Sequence, residues 1–145
     1  MREPVIRKLT PRDYESVVNV WQNAGLPYRP QGRESREAFA KQLGDDHIIV
    51  LGAFAGEEMV GVVIGSHDGR KGWVNRLAVM PGWQKQGIAQ ELILQVEQYF
   101  KSAGILMFAA LINNDNLASM NLFQKLGYEV KPHIKYCRKL VKREF

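Results

Sequence analysis

The segment with the clearest chemical indication reads Gln84-Lys85-Gln86-Gly87-Ile88-Ala89. It lies between an apolar, strand-like run from Trp73 to Val79 and a long amphipathic helix predicted from Ile88 to about Ser102. A short loop that ends in glycine and then opens a helix directs several backbone N–H groups at one point, and the positive end of the helix dipole lies behind them. We therefore predict a cradle for a diphosphate group, in which Gly87 allows close approach of the backbone and Ala89 keeps the first helical turn narrow.

This loop differs from two other common phosphate-binding loops. The sequence contains no G-x-x-x-x-G-K-[ST], and the loop lacks the three glycines of a dinucleotide-binding fingerprint. The loop instead fits [Q/R]-x-x-G-x-[G/A], placed directly after a strand that ends in V-x-P. Taken alone, so short a pattern is also compatible with an ordinary turn between a strand and a helix.

A second segment, from Asn116 to Tyr128, predicts a helix with a defined start and stop. Asn116 suits the N-cap position, and Gly127 suits the left-handed residue that ends a helix. The aromatic Tyr128 then opens the next predicted strand.

Together the two segments resemble the GNAT N-acetyltransferase superfamily. The second segment fits its signature N-x-x-[A/S]-x-x-[L/F]-[Y/F]-x-K-L-G-[F/Y], and the resemblance extends from about Val5 to Val141. It implies a single domain over residues 1–145 with an α/β fold, in which helices flank a mixed, mostly antiparallel central sheet that is splayed between strands four and five. The implied reaction transfers the acetyl group of acetyl-coenzyme A to a primary amine of a small molecule or a protein by direct attack.

The resemblance also implies which residues hold the coenzyme. The fourth strand would bind pantetheine and supply the backbone N–H for the oxyanion, the loop would bind the diphosphate, and the signature helix would lie beside the thiol. The matching positions are Leu77, Ala78, Val79, Gln84, Lys85, Gln86, Gly87, Ile88, Ala89, Asn116, Ser119 and Phe123.

The residues for proton transfer depart from the family pattern. The usual general acid is a tyrosine, and that position holds Phe123, which cannot donate a proton. The fourth strand also lacks the carboxylate that many relatives use as a base, so the catalytic candidates are Asn75 and the backbone at Leu77. Strict strand alternation places Trp73, Asn75 and Leu77 on one face. Without a base, the sequence favours an acceptor amine of low pKa.

The resemblance implies that the first pair of helices with its loop, together with the turn before the fourth strand, selects the acceptor. The candidates here are Tyr28, Arg29, Arg33 and Trp73, and either arginine could clamp a substrate carboxylate. A solvated loop is an equally good interpretation of the same arginines.

Around these sites the sequence predicts short strands at Val5 to Leu9, His47 to Phe54, Met59 to Ser66 and Leu106 to Leu111. Helices are predicted after Thr10 and after Ser35, and two closing strands after Gly127. The last of these would contain Cys137 as a packing residue, and its basic edge could support a homodimer.

Composition excludes several classes of function. No apolar run approaches eighteen residues, and no signal-peptide core is recognisable, so we expect no membrane partner and a cytoplasmic location. One cysteine and three scattered histidines predict neither a disulfide nor a metal site. The net charge of +5 is dispersed, which favours a polyanionic coenzyme over nucleic acid. The alternative function is a catalytically weak or inactive acyl-coenzyme A sensor or interaction module.

Overall fold

The computed structural model describes residues 3–143, which form one five-stranded sheet with four helices packed around it. The strands are β1 (Val5–Lys8), β2 (Ile48–Ala55), β3 (Glu58–His67), β4 (Gly72–Val79) and β5 (Phe108–Ala110). The helices are α1 (Tyr14–Asn23), α2 (Arg36–Leu43), α3 (Ile88–Ser102) and α4 (Leu117–Lys125). Short 3-10 turns at Pro11–Asp13 and Pro81–Trp83 precede α1 and follow β4.

The sheet has the order β1-β2-β3-β4-β5. The first three pairings are antiparallel and the last, between β4 and β5, is parallel. This arrangement confirms the predicted mixed, mostly antiparallel α/β sheet. The boundaries of α3 are those predicted, whereas β5 is shorter than predicted at both ends because Leu106, Met107 and Leu111 are exposed.

The two faces of the sheet have separate apolar cores. On one face α3 packs against β2 to β4, with Leu92, Val96 and Phe100 fully buried. The contact is so close that a Cβ at Gly72 of β4 would lie 2.6 Å from the Phe100 ring. On the other face α1 and α2 cover β2 and β3 through Trp21 and Phe39.

An irregularity in β4 separates its two halves. The pairing of β3 with β4 shifts between Val62 and Ile64, and Arg76 has a φ of 53°, in the left-handed region that side chains rarely adopt. The shift leaves one extra residue on β4, which is a β-bulge. Because β5 pairs only with positions 72–74, the remainder of β4 diverges from it and opens a wedge.

The bulge overturns the alternation expected along β4. Asn75 and Arg76 both line a cavity on the α1–α2 face, whereas Leu77 packs into the α3 core. The prediction that Asn75 and Leu77 share a face is therefore wrong, because the extra residue reverses the alternation after Asn75.

The predicted closing strands are also wrong for the residues that the structure describes. From Tyr128 to residue 143 the chain has no strand pairing, and Ile134 is 73% exposed. Cys137 is exposed and has no packing role.

Candidate active site

The loop between β4 and α3 has the backbone geometry of an anion cradle. Gly87 is the N-cap of α3 with a φ of 85°, and a Cβ there would contact nothing within 4 Å. The first helical hydrogen bond runs from the Glu91 N–H to the Gly87 carbonyl at 3.0 Å, so the N–H groups before Glu91 precede the helical ladder. Lys85 also has a positive φ, of 63°, which tightens the loop ahead of these donors.

Gln84 ties this loop to the end of β4. Its Nε2 donates a hydrogen bond to the Val79 carbonyl at 3.1 Å. Ile88 anchors the other side of the loop because its side chain is buried in the α3 core, whereas Lys85, Gln86 and Gly87 are exposed. The structure therefore brings the predicted diphosphate loop next to the diverging half of β4.

The signature helix α4 begins where the sequence predicts. The Asn116 side chain accepts a hydrogen bond from the Ser119 N–H at 3.1 Å, which is an N-cap interaction. Phe123 is 5% exposed and packs edge-on against Tyr128, with ring centroids 4.9 Å apart. Phe123 is therefore a core residue, and its phenyl ring has no acidic proton to donate.

The hydroxyl of Tyr128 is already engaged in a hydrogen bond. The hydroxyl donates to Oε2 of Glu97 at 2.7 Å, and Glu97 is 8% exposed. Burial, followed by this hydrogen bond, raises the pKa of Tyr128 far above its ordinary value. This hydrogen-bonded pair thus joins α3 to the end of α4. The Tyr128 hydroxyl is therefore not available as a general acid in the wedge between β4 and β5.

On the opposite face, a cavity of about 220 Å³ lies between the α1–α2 pair and strands β2 to β4. Its lining combines apolar walls with several polar and charged groups. The lining residues are Trp21, Arg33, Glu34, Phe39, Gln42, Ile48, Ile64, Ser66, Asn75 and Arg76.

Asn75 is fixed in this cavity by neighbouring strands. Its Nδ2 donates to Ser66 Oγ at 3.1 Å and makes a longer contact to the Trp73 carbonyl at 3.5 Å. Among the described residues both contacts use Nδ2, and no hydrogen bond reaches Oδ1.

The predicted acceptor residues are only partly brought together. Arg33 lines the cavity and its Nε lies 2.7 Å from Oε2 of Glu34. Arg29 is exposed and contributes its backbone N–H to Oε1 of Glu34 at 2.8 Å. Tyr28 packs near Trp21 with ring centroids 6.3 Å apart, but Tyr28, Arg29 and Trp73 do not line the cavity.

Sequence reasoning missed Arg76, which is the most unusual group in the cavity. Its guanidinium carbon lies 4.4 Å from the centre of the Trp21 ring. Desolvation lowers the pKa of Arg76, and the nearby charge of Glu34 opposes that shift. The sequence did show a charged residue inside a mostly apolar strand. The face of the sheet on which Arg76 lies could not be predicted, because it depends on the bulge.

Comparison with a family model identifies the chain. The description "Acetyltransferase (GNAT) family" matches residues 13–128. The chain belongs to this GNAT family. The match confirms the predicted resemblance, and relatives named acetyltransferases agree with it.

Two such relatives are bacterial. An acetyltransferase of Pectobacterium atrosepticum is 30% identical over 141 residues, which cover 97% of this chain and 99% of that protein. An acetyltransferase of Sodalis glossinidius is 29% identical over 129 residues, covering 89% of each protein.

Solved structures share the fold at lower identity. The aminoglycoside acetyltransferase AAC(6')-Iy, in complex with a bisubstrate analogue of coenzyme A, has a TM-score of 0.81 at 19% identity over 96% of this chain and 99% of that chain. An N-acetyltransferase of Thermoplasma acidophilum in complex with coenzyme A has a TM-score of 0.79 at 22% identity, over 90% and 92% of the two chains.

Two structural searches concern other kinds of site. Within residues 3–143, no three histidine, cysteine, aspartate or glutamate side chains are grouped so that they could hold a metal ion. In the same part of the chain, no helix is long and apolar enough to cross a membrane. The expected cytoplasmic location and the expected lack of nucleic-acid binding stay predictions.

Proposed function

We propose that the protein transfers the acetyl group of acetyl-coenzyme A to the nitrogen of a primary amine by direct attack. The observation that carries this proposal is the left-handed Gly87 at the start of α3, beside the half of β4 that diverges from β5. A diphosphate on the N–H groups of the loop would leave pantetheine free to run along β4 as an added strand. The coenzyme A complexes of the structural neighbours support the same cosubstrate.

In the proposed reaction the amine lone pair attacks the thioester carbonyl, and the carbon–sulfur bond then breaks. The tetrahedral oxygen would be stabilised by a backbone N–H near Leu77, and loss of such a donor typically costs about a hundredfold in rate. A thiol with a pKa of about 8.5 can leave as the thiolate, which fits the presence of Phe123 in place of an acid. The amine gives up its proton to water, with Oδ1 of Asn75 orienting the N–H.

Within residues 3–143, no carboxylate that lines the cavity is available as a base, and this restricts the acceptor. Glu34 lines the cavity, but both of its carboxylate oxygens already accept hydrogen bonds. At pH 7 a lysine-type amine with a pKa near 10.4 costs about 4–5 kcal/mol to deprotonate, whereas an amine with a pKa near 8 costs about 1–1.5 kcal/mol. We therefore propose an acceptor amine of low pKa.

The competing function is an acyl-coenzyme A sensor, which the absence of a visible acid and base favours. Release of free thiol from acetyl-coenzyme A, measured across a panel of amines of different pKa, separates the two functions. Turnover with at least one amine supports the enzyme. Saturable coenzyme binding without thiol release on any amine would support the sensor instead.

We further propose a homodimer in which the segment from Ile134 to Leu140 of one copy pairs with the β5 edge of the other. The segment is exposed, with apolar Ile134, Tyr136 and Leu140 at every second or fourth position, and β5 is an edge strand. Sedimentation of wild type and of the Tyr136→Asp variant tests this proposal. A monomeric wild type at micromolar concentration would contradict it.

A further inference from the structure

The α1–α2 cavity contains hydrogen-bond donors that no group in the described chain satisfies. Nε and Nη2 of Arg76 are buried without a hydrogen-bond partner, and so is the indole Nε1 of Trp21. Trp21 is 2% exposed. Buried donors of this kind are rare in folded proteins and mark sites of strain or ligand binding.

The unsatisfied edge of Arg76 has a specific chemical preference. Nε and Nη2 form one side of the planar guanidinium fork, which pairs with both oxygens of a carboxylate. The indole of Trp21 lies against the same guanidinium, which is partly shielded from water. A lysine ammonium in this position would not present two parallel, coplanar donors, so the arginine edge is suited to a planar anion.

The neighbouring carboxylate of Glu34 does not pair with this edge of Arg76. Glu34 is 8% exposed, and its oxygens are held by the backbone N–H of Arg29 and by Nε of Arg33. No ion pair within 4 Å joins Glu34 to Arg76 among the described residues. Arg33, Arg76 and Glu34 therefore give the cavity a net charge of about +1, which one anionic group would neutralise.

The backbone supports the same interpretation. Arg76 adopts its φ of 53° at the bulge, where glycine or asparagine would be less strained. A strained residue that also buries unsatisfied donors is maintained at a cost to stability, and such residues cluster at binding sites. The next residue, Leu77, begins the part of β4 that faces the wedge, so the bulge couples the cavity to the reaction centre.

We propose that this cavity binds a carboxylate of the acceptor through Arg76 and the Trp21 indole N–H, and that the acceptor class is small carboxylate-bearing amines of low pKa, such as short peptides with a free α-amine. This inference rests on the proposed N-acetyltransferase function, and it names the substrate class at that site. A polycationic acceptor such as an aminoglycoside would be repelled by the same group.

The test compares matched acceptors. Glycyl ω-amino acids of increasing chain length, whose α-amine has a pKa of about 8, are assayed beside the corresponding primary amides, with thiol release from acetyl-coenzyme A as the readout. At the best chain length, we expect the carboxylate to exceed its amide by about 30-fold or more in kcat/KM. In Arg76→Met that ratio falls towards one, because the carboxylate acceptor loses more rate than its amide.

The matched control is Arg12→Met, which removes one exposed cation that does not line the cavity and keeps the ratio. A ratio near one in wild type at every chain length, or a ratio unchanged in Arg76→Met, would overturn the inference. Turnover of the amides would leave the acetyltransferase function intact in either case.

A second measurement tests the inference if the protein acetylates none of these amines. Calorimetry with the N-acetyl forms of these glycyl ω-amino acids, in the presence of coenzyme A, is expected to show saturable binding to wild type and at least tenfold weaker binding to Arg76→Met. No saturable binding to wild type would overturn the inference, while a separate titration with coenzyme A reports on the cradle.

Thermal unfolding distinguishes a binding role from a structural one. Replacement of a buried, unpartnered cation by an apolar side chain is often neutral or stabilising, so Arg76→Met should unfold at the same or a higher temperature than wild type. A lower unfolding temperature, together with an unchanged acceptor ratio, would assign Arg76 to packing against Trp21.

Discussion

Substitutions at Gly87 test whether the loop acts as an anion cradle or only as a turn. In Gly87→Ala the new Cβ contacts nothing within 4 Å, so the change adds backbone strain without a collision. Holding a non-glycine residue in a left-handed conformation costs about 1–2 kcal/mol. Restriction of the unfolded chain offsets about 0.4–1 kcal/mol of this cost. The net loss of about 1 kcal/mol corresponds to a fall of about 3 °C in Tm.

Gly87→Asp adds a negative charge to the same strain. At the start of α3 this charge interacts favourably with the helix dipole, by about 0.3–1 kcal/mol, so the ligand-free aspartate variant should be at least as stable as the alanine variant. Against a bound diphosphate, two unit charges 4 Å apart repel by about 4 kcal/mol at an effective dielectric constant of 20. Screening at this exposed loop leaves about 2 kcal/mol, or about 30-fold in affinity.

The three proteins are therefore expected to rank in one order for stability and in another for coenzyme binding. Denaturant unfolding should rank wild type above Gly87→Asp, with Gly87→Ala equal to the aspartate variant or below it. Calorimetric titration with acetyl-coenzyme A should rank wild type above Gly87→Ala, with Gly87→Asp the weakest. A folded Gly87→Asp protein that binds within about threefold of wild type would refute the cradle.

Two further predictions concern stability. Tyr128→Phe leaves the buried Glu97 carboxylate without its donor and should lower the free energy of unfolding by about 1–3 kcal/mol in urea, whereas the exposed Tyr136→Phe should not; equal effects would contradict this. The hydrogen bond from Arg7 lowers the pKa of Asp13, so their coupling is complete above the ordinary aspartate pKa and is lost as pH falls through the lowered value. Because Arg7 is half exposed, a double-mutant cycle should give about 0.2–1 kcal/mol at pH 7 and a falling value as the pH drops below the ordinary aspartate pKa; a pH-independent value would contradict the assignment.

Features encoded by neighbouring residues were predictable from the sequence. The glycine before α3 and the Asn116 cap of α4 depend on the conformation of one residue and on hydrogen bonds within one turn. Such local interactions form largely independently of the rest of the chain, so their sequence patterns locate the helix starts correctly.

Features that depend on partners distant in sequence were not predictable in the same way. One extra residue in β4 reverses the direction of every later side chain, and it moves Arg76 into the α1–α2 cavity beside Asn75. Nothing in the alternation of β4 shows where β3 will shift its register. The same reasoning applies after Tyr128, where alternation specifies which side chains share a face but does not supply a neighbouring strand.

The most direct test of the proposed function is a calorimetric titration of the folded wild-type protein with acetyl-coenzyme A. The account predicts saturable binding of one coenzyme per chain, weakened by salt because the diphosphate is held by the positive end of α3 and by Lys85. An absence of saturable heat from a protein shown to be folded would contradict it.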